Sequence, residues 1–360
     1  MKRVMAAIVA GFLISSADAQ YTIETVAENL ELPWSLALLP DGSMLVAERP
    51  GRLRIILNGE LLEASIAGVP DVYFAGQGGL FDVVPDPDFE SNQTIYLSYS
   101  HGDRDANATR ILRAVLDGNE LRYQEVIFTV EPYKRGALHF GGRITFLPDS
   151  SLLMPTGDGF TYREDAQKLD TLLGKIVRIH RDGSVPNDNP FAGRDDARPE
   201  IWTYGHRNPQ AILFDPVSGN VYAHEHGPRG GDELNLIEPG RNYGWPAITY
   251  GRDYNYASIT PYTEYPGMEQ PLVDWTPSIA PAGMTIYRGD LFPDWGGDLF
   301  VAALVERAIR RLDMENGRVV GQELLFSELG ERMRDVRVGP EGALYLLTDS
   351  TDGRVLRVTP

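Results

Sequence analysis

Apolar positions along this chain fall in short runs, some alternating and some continuous, and they almost never recur at helical spacing. Met44-Leu45-Val46-Ala47, Thr94-Ile95-Tyr96-Leu97 and Leu344-Tyr345-Leu346-Leu347 are examples. Runs this short, rich in β-branched and aromatic residues and bounded by Gly, Pro and Asp, predict strands. Each of the three follows another apolar strand and a turn of similar chemistry. The turns are Leu38-Leu39-Pro40-Asp41-Gly42, Val84-Pro85-Asp86-Pro87-Asp88 and Val338-Gly339-Pro340-Glu341-Gly342. Three more copies complete the set. They are Phe146-Leu147-Pro148-Asp149-Ser150 before Leu152-Leu153-Met154, Phe214-Asp215-Pro216 with Gly219-Asn220 before Val221-Tyr222-Ala223, and Phe292-Pro293-Asp294 with Gly296-Gly297 before Leu299-Phe300-Val301. Proline presets the first turn angle and Gly or Asn takes the positive-φ position, so each copy reads as a hairpin.

Six such hairpins allow about 57 residues per unit, enough for four antiparallel strands and their loops. The predicted fold is all-β: a six-bladed propeller of four-stranded antiparallel blades over residues 20–360. A β-sandwich or two smaller β domains is the competing architecture, but no linker-like stretch separates two halves. The longest insertions fall between the third and sixth copies, and insertions in repeat folds gather on one face.

The N-terminus reads differently. Lys2 and Arg3 precede an apolar run from Val4 to Ile14, and Ala17-Asp18-Ala19 ends it in an A-x-A pattern. Residues 1–19 are expected to be a cleaved signal peptide, placing the mature chain in the periplasm or outside the cell. The run falls short of the ~20 residues that span a bilayer, so no membrane insertion is expected.

Composition narrows the chemistry. The 360 residues carry 33 Lys+Arg against 51 Asp+Glu, a net charge of −18, which argues against nucleic-acid binding. There is no cysteine, hence no disulfide, thiolate metal site or thiol nucleophile. Of the basic residues 29 are Arg and only 4 Lys, which favours forked contacts to carboxylates.

Five polar clusters fall between predicted strands, where a rigid scaffold carries function. Gly76-Gln77-Gly78-Gly79 permits close backbone approach to a ligand, or is only a tight turn. His139, beside Gly141-Gly142, is a candidate general base; taken alone, it and His101, His180, His206, His224 and His226 read equally as structural histidines. Arg207-Asn208-Pro209-Gln210 offers a forked cation and two amides to carboxylates or carbonyl oxygens. Residues 224–233, with Asn242-Tyr243, combine carboxylates and Gly-Pro turns that suit calcium. The His224-x-His226 pair points less strongly to zinc, lacking a third ligand at sensible spacing. Arg332-Met333-Arg334 would put two guanidinium groups on one face of a strand.

With these motifs in order, together with Leu32-Pro33-Trp34, Leu173-Gly174-Lys175-Ile176 and residues 182–190, the sequence from Leu32 to Pro360 resembles the soluble glucose/sorbosone dehydrogenases. These are exported aldose sugar dehydrogenases that use pyrroloquinoline quinone (PQQ) and calcium on a six-bladed propeller. The resemblance implies that His139 takes the proton from an aldose C1 hydroxyl, while Arg207 stabilises charge on the quinone. It assigns PQQ contacts to Gln77, Arg207, Asn208, Tyr254, Ala303, Leu304, Val305, Arg332, Met333 and Arg334. Gly227 and Pro228 match ligands of a catalytic calcium; Glu233 and Tyr243 match a structural one. An external electron acceptor is implied, with a monomer or homodimer. One departure stands out: many relatives carry Lys where this chain has Val305. Arg307, two residues on, is expected to supply the missing charge if the strand continues. Two other readings stay open. One is a calcium-dependent sugar lactonase on the same scaffold, and the other is a non-catalytic exported propeller that binds a partner.

Overall fold

The computed structural model describes residues 21–360, so the expected signal peptide lies outside the described residues. It is a six-bladed β-propeller of 24 strands with almost no helix. The first strand in the chain, β1 (Thr22–Leu30), belongs not to the first blade but to the last. Blade 1 is β2 (Pro33–Leu38), β3 (Met44–Glu48), β4 (Arg52–Leu57) and β5 (Glu60–Leu61). Blade 2 is β6 (Leu80–Pro85), β7 (Thr94–Gly102), β8 (Asn107–Asp117) and β9 (Glu120–Thr129). Blade 3 is β10 (Thr145–Phe146), β11 (Leu152–Pro155), β12 (Lys175–Ile179) and β13 (Ile201–Tyr204). Blade 4 is β14 (Pro209–Phe214), β15 (Val221–Glu225), β16 (Asp232–Ile237) and β17 (Val273–Trp275). Blade 5 is β18 (Pro281–Ile286), β19 (Leu299–Ala303), β20 (Ala308–Glu315) and β21 (Arg318–Leu325). Blade 6 is β22 (Met333–Val338), β23 (Leu344–Thr348) and β24 (Gly353–Thr359), completed by β1 pairing antiparallel to β24 with Thr22 opposite Thr359. Pairing the two chain ends gives the last blade its fourth strand and closes the ring.

The continuous apolar runs have a simple cause. The second strand of a blade is buried on both faces, and its alternate residues serve two different cores. Met44 and Val46 pack toward blade 6, while Leu45 and Ala47 pack toward blade 2. Likewise Leu344 and Leu346 face blade 5, and Tyr345 and Leu347 face blade 1. Each pair of successive blades shares one such core, so hydrophobic burial closes the ring.

All six Pro/Asp/Gly turns join the first and second strands of a blade. Their acidic side chains fix them locally: Asp41 Oδ1 accepts from Ser43 N at 2.9 Å, and Asp149 Oδ1 from Ser151 N at 3.0 Å. Because blades are antiparallel, the start of each first strand and the end of each second strand lie together at the opposite end. The motifs at 76–79, 139–143, 205–208, 226–231, 304–305 and 332–334 all fall there. Among the described residues no helix is long and apolar enough to cross a membrane.

Candidate active site at the mouth of the axis

At this end a cavity of about 280 Å³ is lined by Gln77, Gln210, His226, Leu304, Val305, Arg332 and Arg334, with Arg49 and Asp349 beside them. Trp34, Phe81 and Phe140 pack together at its apolar wall. Two more cavities adjoin. Arg207, Pro228, Trp245, Tyr254 and Phe160 line one. The other, of only about 10 Å³, lies among Arg207, Glu225, His226, Gly227, Glu233 and Tyr243. Arg207 is common to the second and third, and His226 to the first and third.

His139 is held at φ 54°, a left-handed conformation, in the segment entering blade 3. Its backbone N–H donates to Gln77 Oε1 at 2.8 Å, which ties it to the glycine-rich 76–79 loop. The strand behind it approaches so closely that a Cβ on Gly157 would stand 2.2 Å from the His139 carbonyl oxygen; only glycine fits there. Nδ1 donates to Asp158 Oδ1 at 2.6 Å. Asp158 is itself fixed by the Phe160 N–H at 2.7 Å and the Trp245 Nε1–H at 2.8 Å. This dyad assigns the proton to Nδ1 and leaves Nε2 as the basic nitrogen. Burial lowers the pKa of His139, and the charges of Arg207 and Lys134 lower it further against the opposing pull of Asp158, so the ring is neutral near pH 7.

Glu225, at the end of β15, organises the next blade's entrance. Its carboxylate accepts from His206 Nδ1 at 2.9 Å and from the backbone N–H groups of Arg207 and Asn208. Arg207 Nη1 then donates to the carbonyls of His226 at 3.0 Å and Gly227 at 2.6 Å, and Nη2 lies 3.4 Å from Tyr254 Oη. Beside it both side-chain amide atoms of Asn208 are buried without a partner. An orphaned buried amide costs about 1–3 kcal/mol, so its presence points to a polar ligand that satisfies it.

Asp349 organises the arginine pair. Its Oδ2 accepts from Arg332 Nε at 2.9 Å and its Oδ1 from Arg334 Nη2 at 2.9 Å. Burial alone would raise the Asp349 pKa, but Arg334 and Arg332 outweigh it and hold the carboxyl ionised. Both guanidinium groups therefore reach the cavity in a fixed orientation, as a carboxylate ligand requires.

The candidate calcium residues divide in two. In the small cavity the Glu233 carboxylate receives only a 3.4 Å contact from Asn235 Nδ2. Burial pushes its pKa well up, and the nearby Glu225, Asp274 and Asp232 add to this. Glu225 and Glu233 bring carboxylate oxygens to a space sized for one small occupant, which fits a hard cation, although Arg207 and His226 line it too. The Tyr243 hydroxyl is engaged elsewhere, donating to the Leu236 carbonyl at 2.7 Å, so only the backbone of Tyr243 could serve. Gly227 sits where a Cβ would come within 2.2 Å of the Gly230 and Gly231 carbonyl oxygens. Its own carbonyl keeps one lone pair beyond the Arg207 bond. Among the described residues no three His, Asp or Glu side chains converge on one point, as a metal held by side chains alone requires. In the His224-x-His226 pair, His226 Nε2 donates to the Pro281 carbonyl at 2.7 Å, while both ring nitrogens of His224 are buried without a partner.

Three of the expected residues do not line the cavity. Met333 points into the core between blades 5 and 6, and Ala303 into the core between blades 4 and 5, so neither side chain lines the cavity. The reason is strand alternation: their neighbours Arg332, Arg334 and Leu304 take the cavity side. Arg307 is not among the residues that line the cavity. β19 ends at Ala303, Arg307 turns at φ 57°, and its Nη1 donates to the Gly330 carbonyl at 3.1 Å. Conversely Arg49 and Asp349 belong to the site without having been singled out from the sequence, and Asp158 and Glu225 stood out only as members of motifs.

Comparison with known proteins agrees with this architecture. Residues 30–357 match the Glucose / Sorbosone dehydrogenase family. The aldose sugar dehydrogenase YliI of Escherichia coli is 40% identical over 351 residues, covering 96% of this chain and 94% of its own. A solved glucose dehydrogenase is 44% identical, with a TM-score of 0.92 over 94% of this chain and 99% of its own. The PQQ-bound aldose sugar dehydrogenase of Streptomyces coelicolor is 28% identical, with a TM-score of 0.78 over 95% of this chain and 98% of its own. Matched over nearly its whole described length, the chain belongs to the glucose/sorbosone dehydrogenase family.

Proposed function

We propose that this dehydrogenase oxidises the C1 hydroxyl of aldose sugars to lactones, using PQQ and calcium and passing electrons to an external acceptor. The observation that carries the reading is the His139–Asp158 dyad, whose Nε2 has no hydrogen-bond partner among the described residues, at the same end of the propeller as an unsatisfied Asn208 amide and a pair of cavity arginines. PQQ, when bound, supplies the quinone carbon that accepts the C1 hydride, and calcium polarises its oxygen.

The chain supplies the rest. Arg332 and Arg334 grip carboxylates and, with Gln77 and Asn208, fix the ring. Arg207 places a cation, already anchored by two carbonyls, where negative charge develops. His139 Nε2 takes the hydroxyl proton, and Asp158 stabilises the imidazolium that results. Glu233 with the Tyr243 carbonyl would hold one calcium, and the Gly227 and Pro228 carbonyls a second.

Purified apoprotein given PQQ, calcium, glucose and a redox dye should bleach the dye only when both additions are present. Lactone hydrolysis without PQQ would instead favour the lactonase reading, and inactivity with both additions a binding role. Calcium should also stabilise the fold, since it gives the buried Glu233 carboxylate the partner it otherwise lacks. At calcium concentrations 100-fold above Kd the gain is ~2.7 kcal/mol. Calorimetry with and without chelator checks this: Glu233→Gln should lose most of the calcium-dependent rise in Tm, and an unchanged rise would exclude the site.

A further inference from the structure

Among the described residues, Arg49 is the one arginine of the Arg332–Arg334 cavity that no carboxylate engages. It follows β3 and points along the mouth, where Nη2 donates to the carbonyl of Gly76 and, at 3.2 Å, to that of Gly78. Its Nε is buried without a partner. The guanidinium carbon lies 5.5 Å from the Phe74 ring centroid. Among the described residues Asp349 is the sole acidic side chain lining the cavity, and both of its oxygens are already taken by Arg332 and Arg334. Three guanidinium groups thus face one carboxylate, an excess positive charge in a confined space. Burial and the charge of Arg334 both disfavour the charged form of Arg49, which shows that this excess is felt.

Two carbonyls hold Arg49 facing the cavity, so it is oriented in advance rather than left free in solvent. Val305, on the rim of the same cavity, contributes no charge. The geometry points to Arg49 as a third cationic contact, gripping a carboxylate of the cofactor together with the Arg332–Arg334 pair. This rests on the PQQ reading above and extends its binding set to blade 1.

The test is binding, not turnover. PQQ is titrated onto calcium-loaded protein without sugar, followed by quenching of tryptophan fluorescence. Arg49→Met should weaken PQQ about 10- to 100-fold, as expected for loss of a charge-assisted hydrogen bond. Arg49→Lys should lose less, and Arg307→Ala should bind as wild type. The trimethyl ester of PQQ, whose carboxylates are blocked, should bind wild type and Arg49→Met alike. If Arg49→Met does not fold, Arg49→Gln, which keeps a donor for the Gly76 and Gly78 carbonyls, makes the same comparison. Equal PQQ affinity in wild type and variant would overturn the assignment. So would equal losses for PQQ and its ester, which would mark a packing role. Wild type that fails to take up PQQ would overturn the functional reading itself.

Discussion

His139→Asn should lower kcat/KM for glucose by about 10²- to 10⁴-fold, the range typical of a positioned general base, while leaving PQQ affinity nearly unchanged. Asparagine is the informative replacement because the residue sits at φ 54°, where Asn is tolerated and Ala is strained. The backbone bond from residue 139 to Gln77 also survives the change. The wild-type pH profile supplies a second readout. The base must be neutral, so kcat/KM falls as pH drops through the pKa of His139. Burial, Arg207 and Lys134 lower that pKa, so the acid limb should lie below the ordinary histidine value of about 6.5. Lys134 sits 3.6 Å above the Phe140 ring, and burial lowers its own pKa to about 7, so it is charged on that limb. Lys134→Met should therefore move the limb upward in pH, an effect no purely structural residue would produce. Near-wild-type kcat/KM in His139→Asn would remove the imidazole from proton transfer.

The parts of this molecule that sequence revealed are those fixed over a few residues. Pro40-Asp41-Gly42 and its five counterparts specify their own turns, and two-residue alternation within a strand sets which core each side chain joins. The exchange of β1 into the last blade was not legible, because it depends on pairing Thr22 with Thr359 across the whole chain. The same distance hid the site's supporting residues. Asp349 matters because two arginines 15 and 17 residues away converge on it. Asp158 matters because His139, 19 residues earlier, turns its ring toward it. Glu225 was visible only as part of a motif; its reach to the backbone of Arg207 and Asn208 required the fold. The expectation for Arg307 assumed that the strand continues, and β19 ends at Ala303 before reaching it.

Substitution of Arg143 should be the most damaging to stability. Its guanidinium lies on the propeller axis, fully enclosed. It donates to Asp82 Oδ1 and Asp335 Oδ2 at 3.1 Å each, and to the carbonyls of Trp34 at 3.1 Å and Gln210 at 3.3 Å. Those partners stand on blades 2, 6, 1 and 4, and Arg143 itself leads into blade 3. Blade 5 joins through Gly283, where a Cβ would fall 2.0 Å from Asp335 Oδ1. One side chain thus couples the first strands of the ring. Arg143→Met keeps the volume but leaves Asp82 and Asp335 with Arg337 alone, one buried negative charge uncompensated. Breaking a buried pair in this way costs about 3–5 kcal/mol, which urea midpoints would register. The sign with pH follows from Asp82. Burial already raises its pKa, with Arg143 and Arg337 opposing, and loss of Arg143 raises it further. Protonating the orphaned carboxyl relieves the penalty, so the variant's deficit should shrink as pH falls from 7 toward 5. Adding Asp82→Asn should recover part of the loss at pH 7, since the two residues share one interaction. A deficit below about 1 kcal/mol, or one independent of pH, would show that the axial charges do not hold the ring together. Trp34, stacked 4.1 Å from this guanidinium, also walls the cofactor cavity, so the same substitution should weaken PQQ binding from beneath.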